Sequence, residues 1–323
     1  MFFKVAIAIG AGLASALLFF IPVKGTTIAM LLAFAGPLPI MLAGLGFGAG
    51  VGFGAAAIGT LAISAALHPL LGLFFAISLG LPSFWLARLA ARSEEVTDPQ
   101  TGEIGHVPAL SSGHLLAWVA TIAAATALLP IIVMAARGES LAANIDDVAQ
   151  QLAPIIGRLF NGEANLPYGL SAGDFARALV LAMPALVAAW GVITLALNLW
   201  VAGRIARISG LIPARDLDLP YRLSLPRDCL WVLGASIVAC MLGETPRFIA
   251  STMTASFLMA YALHGLAVMH GFLRGNPLRG ALLFGLYALI VLTAWPLLLA
   301  AAVGLFDSLI PLTRRPLPTA TAA

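Results

Sequence analysis

The sequence predicts an all-α, polytopic transmembrane helix bundle of eight or nine spans with one amphipathic interfacial helix. Three observations carry that reading. Hydrophobic residues make up 61% of the 323-residue chain and charged residues only 10%, whereas a water-facing chain carries roughly 25% charged residues. Residues 25–87 contain no Asp, Glu, Lys or Arg at all, and about 20 apolar residues suffice for one crossing. Between two long apolar runs, Leu141, Ile145, Val148, Leu152, Ile155, Ile156 and Leu159 recur at helical spacing among Asp146, Asp147 and Gln150, the pattern of a helix lying along an interface. A soluble enzyme, a disordered protein and a nucleic-acid binder are excluded on composition. The basic balance, pI near 9.2, suits loops that hold helices against an anionic leaflet. The whole chain, 1–323, is read as a single integral membrane domain.

The elements follow in order. The first helix is expected near 5–22. Ala14-Ser-Ala16 mimics a signal-peptide cleavage site, but the apolar run continues through Leu17–Ile21 without a polar flank, so the helix is read as uncleaved. The charge-free stretch holds three helices, near 27–45, 47–66 and 69–90. Their breaks are marked by Gly36-Pro-Leu-Pro39, Gly44–Gly48 and His68-Pro69. Residues 91–113 are expected as a polar loop, with Asp98-Pro-Gln-Thr-Gly102 as its tight turn. A helix near 114–136 is followed by the longest loop, 137–175, which contains the amphipathic helix near 140–160. Ser171 and Asp174 form a capping box for the next helix, near 175–202. Three more apolar segments follow, near 229–243, 248–271 and 280–304.

Arginines orient the bundle. Arg204, Arg207, Arg215, Arg222 and Arg227 place loop 203–228 in the cytoplasm. Alternation then puts the N-terminus and loop 91–113 inside and loop 137–175 outside. With nine spans, Arg314-Arg315 fall on the outer side against the positive-inside bias. Eight spans and a re-entrant C-terminal segment would put both ends inside.

Few residues offer chemistry. Gly44, Gly46, Gly48, Gly50, Gly52 and Gly54 match neither a dinucleotide fingerprint nor a P-loop. On a helix they form two stripes, 44/48/52 and 46/50/54. Each is read as a close-packing face or as a weak helix whose free backbone lines a cavity. Ala8, Gly12 and Ala16 make a similar stripe on the first helix, and Ala6, Gly10 and Ala14 another. The alternatives there are packing within the chain and docking of a partner membrane protein. Gly169-Leu-Ser171-Ala-Gly173 matches a G-x-S-x-G pattern but precedes a membrane helix, so Ser171 is read as a cap rather than a nucleophile. His68, His106, His114, His264 and His270 do not cluster. Cys229 and Cys240, eleven positions apart, lie on one helix face about three turns apart, too far to bond. No catalytic set, metal site or cofactor motif is expected. Asn198 and His264 are polar groups facing the bundle interior, as structural hydrogen bonders or as ligand contacts. Glu244 and Arg247 can pair at a hairpin. Asp307 is read as a cap or an interfacial anchor. With no carboxylate in the middle of an expected helix, a self-powered ion-coupled transporter is disfavoured.

Four stretches resemble the YybS-like family of uncharacterised bacterial membrane proteins. They are Pro39-Ile-Met-Leu-Ala-Gly-Leu-Gly-Phe-Gly48; Asp98-Pro-Gln-Thr-Gly102 with Val107-Pro108; Leu263-His-Gly-Leu-Ala-Val-Met-His270; and Gly304-Leu-Phe-Asp307 with Arg314-Arg315. The third is similar to a QGLAV pattern with His264 in place of the usual Gln. The Asp-Pro-x-Thr-Gly loop is most similar to alphaproteobacterial members. The resemblance implies a distant likeness to the substrate-binding S-components of energy-coupling-factor transporters. In those, a small-residue motif like Ala8/Gly12/Ala16 docks the energising partner.

The expectation is therefore a multi-pass protein of the bacterial inner membrane, not an enzyme, whose partners are the lipid bilayer and a membrane protein met through helix 1. It would bind a small molecule between helices in transporter-like fashion, with Gly44, Gly48, Gly52, Asn198 and His264 as lining residues. A scaffolding protein of the envelope is the alternative, and an intramembrane enzyme acting on lipid, with Ser171 or a histidine, the remote one.

Overall fold

The computed structural model describes residues 2–97, 104–138, 140–160, 166, 169–212 and 223–310. Among them, thirteen α-helices and one β-hairpin follow in order. The N-terminal helices are α1 (Phe2–Phe20), α2 (Thr27–Ala33), α3 (Leu38–Phe47), α4 (Ala49–Ala66), α5 (Pro69–Phe75) and α6 (Leu81–Ala91). Strands β1 (Ser93–Thr97) and β2 (Ile104–Pro108) separate them from α7 (Ser112–Ala136), α8 (Leu141–Leu159) and α9 (Ala172–Ile208). The last four are α10 (Asp228–Ala239), α11 (Glu244–Phe272), α12 (Arg279–Thr293) and α13 (Pro296–Leu309). Seven helical stretches are long and apolar enough to cross a membrane: Phe2–Phe20, Thr27–Phe47, Ala49–Ala66, Pro69–Ala91, Ser112–Met134, Ala172–Ile208 and Thr245–Phe272. Three shorter apolar helices accompany them. The chain is an all-α membrane helix bundle.

Several elements differ from the sequence reading. The stretch expected as one helix near 27–45 is interrupted between Ala33 and Leu38, because Pro37 and Pro39 supply no backbone N–H. The segment near 280–304 divides into α12 and α13. Ala294 adopts a left-handed conformation at φ 55, and Pro296 starts the new helix, a position proline suits. The segment near 229–243 holds α10, whose 12 residues reach only about 18 Å. Residues 91–113 contain a hairpin, with Ser93 opposite Pro108 and Thr97 opposite Ile104. Its β-branched Val96, Thr97, Ile104 and Val107 favour pairing. The turn Asp98–Gly102, Glu139, Arg215, Arg222 and the Arg314-Arg315 tail lie outside the described residues.

The chain folds into two compact units. The larger comprises residues 1–119, 192–227 and 259–323. Its core is Ala8, Ala16, Ile40, Ala43, Val51, Ala55, Ala56, Ile63, Phe75 and Leu79. Small residues dominate because the helices meet backbone to backbone. A Cβ on Gly12 would stand 2.5 Å from the Ala55 carbonyl oxygen, and one on Gly59 2.9 Å from the Gly12 oxygen. Gly48 turns the chain between α3 and α4 at φ 102, where a side chain is strained. Beyond the turn a Cβ on Gly52 would come 2.8 Å from Gly44 Cα. The stretch 36–47 also runs parallel to 79–91: a Cβ on Gly36 would meet Leu79 and one on Gly44 would meet Ala87. The fourth crossing contains a π-helical stretch, Ala76–Gly80, just ahead of Pro82.

The smaller unit comprises residues 120–191 and 228–258. Here α8 is the amphipathic helix. Its apolar stripe is divided: Ile145, Ala149 and Ile156 are buried, while Val148, Ile155 and Leu159 are exposed. The buried side joins Leu166, Ala172 and Ala176 in a cluster. Arg177 on α9 reaches Asp146 on α8 at 2.9 Å. Helix α9 starts at Ser171, whose Oγ accepts from the Asp174 N–H at 3.1 Å and donates to Asp174 Oδ2 at 2.6 Å.

Candidate functional site

Two polar constellations stand out among the described residues of the larger unit, each built where a helix is broken or crossed closely.

The first lies at the interruption of the second crossing. Between α2 and α3 the amide of Gly36 turns to the Ala33 oxygen and that of Leu38 to the Ala35 oxygen, both at 3.0 Å. The tightened turn leaves the carbonyls of Phe34 and Gly36 outside the usual ladder, within a stretch apolar enough to cross a membrane, where lipid would offer no replacement. Neighbouring helices supply it. Asn198 of α9, 5% exposed, donates Nδ2–H to the Phe34 oxygen at 2.6 Å and to the Thr194 oxygen at 2.7 Å. Ser15 of α1 donates its hydroxyl to the Gly36 oxygen at 2.8 Å. Ser83 Oγ on α6 and Thr194 Oγ1, one turn from Asn198, are buried hydroxyls of the same unit without a hydrogen-bond partner among the described residues. Ser83 lies between Leu79 and Ala87 on the α6 face that meets α3 at Gly36 and Gly44. The groups that meet at the interruption are polar and uncharged: two carbonyls, the Ser15 hydroxyl and the Asn198 carboxamide.

The second constellation joins α11 and α13. His264 Nε2 and Asp307 Oδ2 are 3.0 Å apart with side chains 0% and 4% exposed. Ser308 Oγ lies 3.5 Å from His264 Nδ1 and donates to the Gly304 oxygen at 3.0 Å. The two helices touch through their backbones. A Cβ on Gly265 would collide with the Ala300 carbonyl, and one on Gly304 with that of Tyr261. The pairings 265 with 300 and 261 with 304 make the crossing antiparallel. The expectation for Asp307 is therefore corrected. It is neither a helix cap nor an interfacial anchor but a buried carboxyl with a histidine partner 43 positions away. Asp307 lies near the C-terminal end of α13, so the expectation that no carboxylate stands in the middle of a helix is not changed by it.

The family model described as a predicted membrane protein, DUF2232, matches residues 13–308. The chain belongs to the DUF2232 family. Among curated proteins and among solved structures, nothing matches it.

The structure distributes the other expected site residues of this DUF2232 protein differently. Gly44 and Gly52 are not on one stripe with Gly48: they face each other across the hairpin that Gly48 turns. Their lack of side chains serves helix contact. Ala8, Gly12 and Ala16 are buried against the chain's own α4, so that stripe offers no face to a partner. No hydrogen bond joins Asn198 to His264 among the described residues. Ser171 stands before a helix and caps it. Arg247 donates Nε–H to the Cys240 carbonyl at 3.1 Å; the side chain of its expected partner Glu244 is not described. Both cysteines are free thiols. His68 caps α5 through Leu70 N–H, His114 meets Ser111, and His270 meets the Leu266 carbonyl. Ser15, Ser83, Thr194 and Asp307 were not singled out as site residues by sequence. Hydroxyls are common in apolar helices, and only Asp307 carried a signal, being the sole charge in its helix.

Proposed function

We propose that this protein is a transporter-like, non-enzymatic membrane protein that captures a small polar molecule. The proposed location is the bacterial inner membrane, with the N-terminus in the cytoplasm. One observation carries the reading: the helical stretch Thr27–Phe47, apolar enough to cross a membrane, is interrupted between Ala33 and Leu38, and the Ser15 and Asn198 side chains meet at the interruption. Discontinuous membrane helices are where transporters expose backbone groups to cargo. The hydroxyls of Ser83 and Thr194, unpartnered among the described residues, are donors available to a ligand, and the uncharged groups at the interruption favour a neutral, hydrogen-bonding one. The YybS-like resemblance supports the same direction, since S-components bind cargo passively and draw energy from a partner. If α1 docks that partner, its covered stripe cannot serve. Ala6 and Gly10 are exposed on its other side, and a Cβ on Gly10 would meet nothing within 4 Å.

A thermal-shift screen of the purified full chain in detergent against vitamins and cofactor precursors tests the reading. Binding to the folded state raises stability by mass action, about 2.7 kcal/mol at a hundredfold excess over Kd. The expected result is stabilisation by at least one compound, diminished in Ser83→Ala. Stabilisation by none of them, or one indifferent to Ser83 and Asn198, overturns it.

A further inference from the structure

We propose that His264 and Asp307 form an intramembrane proton-binding site that holds one shared proton and, through it, the docking of α13 on α11. Such a site goes beyond small-molecule capture and does not depend on it. Ionisable side chains inside a membrane bundle are rare and costly, and they mark sites of function by default. Here both partners are withdrawn from solvent, and their atoms are within hydrogen-bond distance.

The balance of charge makes the proton count decisive. With one proton between Nε2 and Oδ2 the pair is net neutral, whether written as imidazolium and carboxylate or as imidazole and carboxylic acid. A second proton adds a positive charge to the pair itself, and loss of the shared proton a negative one. Either is expensive in an apolar interior. The pair also lies at the backbone contact itself, next to Gly265 and three positions from Gly304. A net charge there acts on the seam between the helices. Ser308, which faces Nδ1, can accept from or donate to the second ring nitrogen and so accommodate either tautomer. The other titratable or charged side chains on these helices are Glu244, Arg247, Tyr261 and His270 on α11 and Arg279 and Tyr287 on α12. Asp307 is the only one on α13. His270 is engaged with the Leu266 carbonyl and the Tyr287 ring.

The experiment is a thermal-unfolding series of the full chain in detergent across acid, neutral and alkaline pH. Wild type is expected to lose stability toward both extremes. His264→Gln keeps a hydrogen-bond donor but cannot take the second proton, so the acid-side loss should shrink. Asp307→Asn cannot become an anion, so the alkaline-side loss should shrink. The double variant should fold with its helices docked and show the flattest profile. Profiles parallel to wild type in all three overturn the proposal. Should the variants fail to fold, wild type alone decides through nitrogen NMR of its histidine side chains. A His264 ring whose protonation state follows the state of Asp307 in coupled steps supports the site. A ring that titrates in one ordinary step as an exposed histidine does overturns it.

Discussion

A glycine in a membrane helix has meaning only through what stands opposite its missing side chain. Gly12 and Gly10 have the same spacing signal on α1, yet a Cβ on Gly12 would press on the Ala55 carbonyl while one on Gly10 enters open space. Gly12→Ala is therefore expected to destabilise the bundle by about 1–3 kcal/mol through overpacking. Gly10→Ala should be neutral or stabilising by up to about 1 kcal/mol, the helix propensity gained. Equilibrium unfolding in mixed detergent distinguishes the two. Ser83 gives the opposite kind of prediction. Its hydroxyl is buried and unpartnered, so Ser83→Ala should raise the stability of the ligand-free protein by about 1 kcal/mol, since an unsatisfied polar group is removed. Asn198→Leu should lower it by about 1–3 kcal/mol, because the Phe34 carbonyl loses its donor. Asn198 and His264 were legible in the sequence because each is a polar residue in an apolar run. Their partners were not: Asn198 reaches a carbonyl 164 positions away, and periodicity carries no information about such separations.

At the scale of elements, punctuation was legible and its consequence was not. The Gly-Pro-x-Pro cluster at 36–39 marks a break, but whether a break separates two crossings or interrupts one depends on which side chains arrive to satisfy the freed carbonyls. Trp295-Pro296 likewise signals a helix start, yet the apolar run across it reads as one segment. For α8 the sequence showed an apolar stripe, and folding divided it between a packed side and an exposed side. The packed side should govern. Ile156→Ala is expected to loosen α8 by about 2–5 kcal/mol, the range for truncating a buried aliphatic side chain. Arg177→Ala should change it by less than about 1 kcal/mol, since that ion pair is 43% and 50% exposed. Hydrogen exchange along residues 141–159 reports both: fast exchange after the first change only is the expected outcome.

For the molecule as a whole, orientation is the testable statement. The positive-inside bias predicts that segment 203–228, which carries Arg204, Arg207, Arg215, Arg222 and Arg227, lies in the cytoplasm and loop 137–175 on the other side. A reporter fused within each loop should report opposite sides; reporting from the same side refutes the assignment. Composition alone points these helices to lipid, because a chain with so few charges cannot cover a water-facing surface, and in an apolar phase a helix satisfies its own backbone. Which glycines touch a neighbour, which carbonyls borrow a donor, and that Asp307 finds His264 are matters of packing. They depend on residues distant in the chain being brought within a few ångströms, a constraint that local sequence cannot encode and that the close antiparallel approach of α11 and α13 supplies.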